Sequence, residues 1–236
     1  MPASEVSHAS LHKSYGGRGL RILCVSPSFV PQRDSEAFCA AKFVQALVDA
    51  GADVTVFRCP RLGEDESETS PMWNRVRQNV TDIAVPERRS LPESIRSAYQ
   101  FRVRYFARWI ARVVKEARRR HASAAFDLIY SRSLPICGHV AGYWCKKELQ
   151  LPWIANLNDP WDFHLFPVAT IVKQNVVDRT ISNFWLRQTL SHADLVTFPN
   201  AHLRDYHFKL TGMEPRSLIV PHVSTGRSAA GGGGQC

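Results

Sequence analysis

No stretch of this 236-residue chain approaches the roughly 20 consecutive apolar residues that cross a bilayer, so a spanning helix is not expected. The first twenty positions are polar and include Gly16, Gly17 and Gly19; they lack the charged start and apolar run of a secretory leader. No two of the six cysteines (Cys24, Cys39, Cys59, Cys137, Cys145, Cys236) have the spacing of a zinc knuckle or redox pair. They read as free thiols in a reducing cytosol. The nine histidines are scattered, and His202 and His207, five apart, miss a common helix face, so no metal is expected. No Gly-x-Gly-x-x-Gly follows the first apolar strand. Ser26-Pro27-Ser28 stands there instead, which argues against a dinucleotide-dependent oxidoreductase.

What is present suits a folded α/β domain. The chain is 44% hydrophobic and 22% charged, enough apolar material for a sizeable core. Its net charge of +9 is concentrated: residues 96–121 hold nine basic side chains against one acid, Glu116. An excess confined to one segment implies a local basic surface and not a nucleic-acid coat.

Strand and helix signals alternate from Arg21 onward. Ile22-Leu23-Cys24-Val25 is apolar on both faces, as a buried parallel strand must be. A helix follows over about Ser35 to Ala50, with Phe38, Ala41, Val44, Ala46 and Leu47 at helical spacing and Gly51 as its stop. Asp53 to Phe57 reads as the second strand, completing a βαβ unit. Residues 60–79 read as a polar surface loop. Strands are then expected at 126–131, 153–157, 193–198 and 217–220, and helices at 134–149, 170–192 and 200–210. The expected fold class is α/β, a doubly wound and mainly parallel sheet. Residues 1–19 read as a disordered tail, 20–223 as one domain, and 224–236, with four successive glycines, as a flexible tail or truncated linker.

Four blocks of this pattern resemble the amino-terminal half of family-four-like glycosyltransferases of the GT-B type. They are RILCVSPSFVPQRDSEAFCAAKFVQALVDAGADVTVF from Arg21, LPWIANLNDPW from Leu151, ADLVTFPNAHLRDY from Ala193 and SLIVPHV from Ser217. The resemblance implies a two-domain enzyme whose first domain binds an acceptor and whose second binds a nucleotide-sugar. It implies transfer with retained anomeric configuration, no metal and no other cofactor. The matching blocks cover only the first of these domains, so the resemblance implies a half that is not expected to turn over alone. A non-catalytic glycan- or membrane-binding module on the same fold stays open as the alternative.

Ligands of open parallel sheets sit beyond the carboxyl ends of the strands, which singles out three loops. After the first strand, Gln32-Arg33-Asp34-Ser35-Glu36 stands where the family is glycine-rich. Arg33 and Ser35 can contact a donor diphosphate, whereas Asp34 and Glu36 repel one, and Asp34 or Ser35 equally suits a helix cap. After the strand ending at Ser131, Arg132 is placed to clamp a phosphate or carboxylate of the acceptor. The third loop, Asn158-Asp159-Pro160-Trp161-Asp162 with His164, is the main candidate for acceptor contact. Asp159 is the expected catalytic carboxylate, holding an acceptor hydroxyl or steadying the positive charge that develops on the sugar, and an Asx turn is its structural alternative.

The basic segment reads as an amphipathic helix. Tyr99, Val103, Phe106, Ile110, Val113 and Ala117 share an apolar stripe, while Arg104, Arg108 and Arg112 lie opposite with Phe101 and Tyr105 beside them. Aromatics among arginines suit an anionic membrane surface, which points to a lipid-linked or glycan acceptor and a cytoplasmic protein held peripherally at the inner face of the membrane. A plain solvated face is the competing reading.

Overall fold

The computed structural model describes residues 19–60, 71–83, 106–133, 135–161 and 176–222. Residues 1–18 and 224–236 of the expected tails, together with Phe101, Arg104, Tyr105, Asp162 and His164, lie outside the described residues.

Strand β1 (Arg21–Val25) is the first element among the described residues and buries four of its five residues. It leads to helix α1 (Ser35–Asp49) and β2 (Asp53–Arg58). A short helix α2 (Pro71–Val76) and a 3-10 turn (Arg77–Asn79) precede β3 (Val80–Asp82). Then come α3 (Ala107–Ser123), β4 (Leu128–Arg132), α4 (Cys137–Leu149), β5 (Trp153–Asn156), α5 (Val176–His192), β6 (Leu195–Phe198), α6 (Ala201–Thr211) and β7 (Ser217–Ile219). The seven strands form one sheet in the order β3-β2-β1-β4-β5-β6-β7, and every adjacent pair is parallel. The doubly wound fold read from the alternation of apolar segments is the one observed.

Side-chain alternation along the strands sorts the core into two layers. Ile22, Cys24, Val54, Val56 and Tyr130 face α1 and α2, where they meet Ala40, Ala41, Val44 and Trp73. Leu23, Val25, Phe57, Ile129 and Trp153 face the other way, toward Trp109 and Val113 of α3, Val140 of α4 and Leu186 of α5. Burying each large apolar side chain contributes about 1.5–3 kcal/mol. Right-handed crossovers explain the split, since the chain moves one way along the sheet after β1 and the opposite way after β4.

Local chemistry ends the first helix where expected. Gly51 has φ 88°, a left-handed conformation that favours glycine, and it lets Gly51 N–H reach the Val48 carbonyl and Ala52 N–H reach the Leu47 carbonyl. This is a Schellman arrangement.

Three expectations are corrected. Residues 71–79 are not loop: Trp73 and Val76 are buried among the polar residues, so a short helix packs there and feeds the edge strand β3. Arg58, fully buried at the end of β2, holds that edge by donating through Nη2 to Asp82 at 3.0 Å while stacking on Trp73. Phe38 is 41% exposed, because Ala37, Ala40, Ala41 and Val44 supply the buried stripe of α1. On α3, Ile110, Val113 and Ala117 are buried as expected, but Trp109 belongs with them and its indole N–H donates to the Arg58 carbonyl.

Candidate active site

The strand order reverses at β1, which has β2 on one side and β4 on the other. At such a switch point the loops leaving neighbouring strands diverge and open a crevice beyond the carboxyl edge. The loop leaving β1 is braced from within. Ser28 Oγ donates to the Asp34 carboxylate at 2.7 Å, and Gln32 Nε2 donates to the Cys59 carbonyl at 2.7 Å. Asp34 accepts from Ala37 N–H at 2.7 Å and is the N-cap of α1. Arg33 and Ser35 stand exposed beside it.

This bracing delivers Glu36, in the first turn of α1, to the end of β4. Arg132, the last residue of β4 and 3% exposed, donates from Nε to Glu36 Oε1 at 3.0 Å and from Nη1 to the Tyr130 hydroxyl at 3.5 Å. Asn158, just past β5, donates through Nδ2 to Glu36 Oε2 at 3.0 Å. Glu36, Arg132 and Asn158 thus form one hydrogen-bonded group, with Asp159 next to it in sequence. Glu36 was read as a group that repels a diphosphate. The structure corrects this, because its charge is set against a buried guanidinium.

Burial pushes the Glu36 carboxyl up to about 7, against the pull of Arg132 and the Asn158 hydrogen bond. Burial opposes the charge on Arg132, but Glu36 and Tyr130 more than reverse that and hold the guanidinium charged. Burial also raises Asp159, against the pull of His222 and Arg132. Three charged groups therefore share a poorly solvated corner, and carboxyls there titrate above their usual range.

Trp161 closes the turn from below. It is 2% exposed, and its indole N–H donates to the Ser182 carbonyl and hydroxyl at 3.1 Å. Its ring stacks with His139, which hydrogen-bonds to Ser131 at 2.8 Å. Burial lowers His139 to about 3, so this imidazole is neutral and structural. Trp153 completes the knot, donating to Ser131 Oγ at 2.7 Å. Trp161 thus anchors the loop that carries Asn158 and Asp159.

Among the described residues, no group of three or more His, Cys, Asp and Glu is arranged to hold a metal. Another recess lies at the opposite edge, lined by Tyr143, Lys146, Lys147, Gln150, His192 and Asp194. There Lys146 donates to the His192 carbonyl at 2.8 Å and to Asp194 at 2.7 Å, and Asp194 also accepts from Trp153 N–H. These bonds clamp the start of β5 and β6, so the site is assigned to the carboxyl edge. On α3, Arg108 and Arg112 are exposed.

Residues 37–222 match the family described as "Glycosyl transferase 4-like domain". The chain belongs to that family. No protein with a curated description matches this glycosyl transferase 4-like chain. Among solved structures, it is similar to sucrose-phosphate synthase from Thermosynechococcus elongatus, with TM-score 0.60 and 13% identity, covering 86% of this chain and 48% of that one. It is similar to UGT2 of Phytolacca americana, solved with UDP-2fluoro-glucose and pterostilbene, with TM-score 0.57 and 12% identity, covering 88% and 55%. It is also similar to a UDP-glucosyltransferase from Polygonum tinctorium capable of glucosylating indoxyl, with TM-score 0.53 and 14% identity, covering 92% and 55%. The chain spans about half the length of each of these three proteins. The likeness is one of fold: the sheet is Rossmann-like, of the kind that makes up one half of the GT-B fold.

Proposed function

We propose that this glycosyl transferase 4-like domain binds the acceptor in a two-domain transferase that takes its sugar from a nucleotide-sugar held by a second domain. The observation that carries the reading is the meeting of Glu36, Arg132 and Asn158, with Asp159 beside them, at the strand switch point. In this reading Asp159 accepts a hydrogen bond from the acceptor hydroxyl and steadies the positive charge that develops on the sugar. Glu36 and Arg132 hold the Asn158–Asp159 turn in place, Trp161 anchors it, and Arg33 and Ser35 face the incoming donor. Asp162 and His164, which follow in the sequence, are proposed as further acceptor contacts.

Transfer with retention and without a metal belongs to the same proposal, as does inactivity of the chain alone. The test pairs the chain with a donor-binding domain, by co-expression with a neighbouring frame, and assays transfer from a panel of nucleotide-sugars. Transfer that needs both halves supports the reading; no transfer with any pairing overturns it.

A second observation supports docking on an anionic membrane at the cytoplasmic face. Helices α3, α4 and α5 lie on one face of the sheet, and Arg118 of α3 meets Glu148 of α4 at 3.3 Å. Their outer surfaces carry exposed Arg108, Arg112 and Lys115 together with Trp144, 47% exposed, and Phe184, 52% exposed. Basic residues with aromatic side chains suit a headgroup layer. No helix among the described residues is long and apolar enough to cross a membrane.

A further inference from the structure

A narrow recess opens at the carboxyl ends of β4 and β5, lined on the sheet side by Tyr130, Arg132 and Asn156, on α1 by Cys39 and Phe43, and beyond β7 by His222. Arg132 and Asn156 sit opposite each other in the parallel register, and each is 3% exposed. Most of their polar atoms are committed. Arg132 Nε is bound to Glu36 and Nη1 to Tyr130. Asn156 Nδ2 donates to Thr197 Oγ1 at 2.9 Å and reaches the Thr197 carbonyl at 3.5 Å, which fixes the amide with its nitrogen toward β6. Two atoms remain without a partner among the described residues: Arg132 Nη2, a donor, and Asn156 Oδ1, an acceptor. Buried polar atoms are nearly always paired, so two such atoms on register-matched residues at one recess call for an occupant.

We propose that this recess is a subsite for a hydroxyl of a neutral polyhydroxylated ligand, which accepts from Arg132 Nη2 and donates to Asn156 Oδ1. The inference rests on the acceptor-binding reading and narrows it to a ligand class. A hydroxyl is the simplest group that accepts and donates at once. An ionised phosphate or carboxylate only accepts, and it would set its negative oxygens against Asn156 Oδ1. When Glu36 is ionised there is no spare positive charge to attract it either. The Arg132 guanidinium is already paired with Glu36 at 3.0 Å, and Asp159 adds a second carboxyl nearby. Arg132 therefore serves the recess as a hydrogen-bond donor and not as an anion clamp. The recess is about the size of one hydroxyl, since Phe43 and Tyr130 stack on each other at 4.8 Å and the Arg132 guanidinium lies over the Phe43 ring.

The test uses the chain as it stands, labelled with nitrogen-15, and follows the Asn156 side-chain amide and the Arg132 Nε–H signals. The probes are methyl glucoside, glucose 6-phosphate and glucuronate. The expected result is a saturable shift of both signals with methyl glucoside, no tighter binding by the two anionic sugars, and a loss of about tenfold or more in affinity in Asn156→Ala. Tighter binding of either anion, or unchanged affinity in folded Asn156→Ala, overturns the proposal. Should that variant not fold, the unaltered chain decides, because absence of a shift at both side chains with methyl glucoside also overturns it. Sugar transfer by the two-domain pair is scored separately. Binding at Asn156 without transfer leaves the subsite standing and removes the transferase reading, and transfer without those shifts does the reverse.

Discussion

The guanidinium of Arg132 and the carboxylate of Glu36 meet at 3.0 Å, ninety-six residues apart in sequence, where the first and fourth strands of the sheet run side by side. The pair links the helix that follows β1 to the end of β4, and Asn158 ties the loop after β5 to the same carboxylate. Three strand ends are thereby held in one arrangement at the place where the fold opens.

Glu36 gives the domain a pH-dependent stability of definite sign. Its folded-state pKa of about 7 lies above the ordinary 4.5, so the folded protein holds this proton more tightly than the unfolded chain does. Stability should therefore fall as pH rises through that window and level off above it, a loss of up to ~3 kcal/mol. Glu36→Gln should match the natural protein near the acid end, lack the slope, and be the more stable of the two above neutrality. Urea midpoints for both proteins across this range check it, and parallel curves would refute it.

Gly138 lies where α4 crosses the end of β4. A Cβ there would sit 2.3 Å from the Arg132 carbonyl and 2.8 Å from Pro27 Cδ, and neither the strand nor the braced loop can retreat. Gly138→Ala should destabilise the domain by about 1–3 kcal/mol or more and displace Arg132. A thermal melt within experimental error of the natural protein would contradict this.

The edge strand β3 depends on Arg58. In Asp82→Asn the guanidinium stays wholly buried and loses the charge of this partner. Because the Asp82 side chain is 37% exposed, solvent screens part of the loss, and about 1–3 kcal/mol is expected where a fully buried pair would cost ~3–5. Early hydrogen exchange at Ile83, whose amide bonds to the Arg58 carbonyl, should accompany the drop.

For the paired enzyme, Asp159→Asn keeps the shape of the turn and removes the charge. Transfer should slow by about a hundredfold or more, with a smaller change in acceptor KM. Equal rates would move the catalytic role away from this residue.

Docking on membranes should be sensitive to charge and to aromatic contact separately. Co-sedimentation with vesicles containing anionic lipid should weaken in Arg108→Gln/Arg112→Gln, with each basic residue contributing about 1 kcal/mol. It should weaken again in Trp144→Ser. Binding that ignores both changes, or that is equal on neutral vesicles, removes the membrane reading.

Much of the architecture was legible because the chain announces it locally. Ile22 to Val25 has no polar position, which only a strand covered on both faces tolerates, and Gly51 and Gly212 stand where two helices stop with positive φ. Phe38 was misread because helical spacing shows which residues share a face, and not whether small alanines or a phenylalanine will turn inward. The helix at Pro71–Val76 was missed because Trp73 and Val76 are few among polar neighbours, and their partner Arg58 is itself polar.

The site divides the same way. Arg132, Asn158 and Asp159 could be singled out because a parallel sheet directs ligands to strand ends, and strand ends can be read from apolar runs. Glu36 could not be given its place, since a carboxylate beside a candidate phosphate loop reads only as a group that repels a diphosphate until its long-range neighbour is known. The order β3-β2-β1-β4-β5-β6-β7 decides which ends meet, and with it that Arg132 faces Glu36 and Asn156. Sequence by itself determined most of the elements and the family resemblance, because hydrophobic period and turn chemistry act over a few residues. Only the tertiary structure decided which charges are buried together, because burial and pairing arise from packing between segments far apart along the chain.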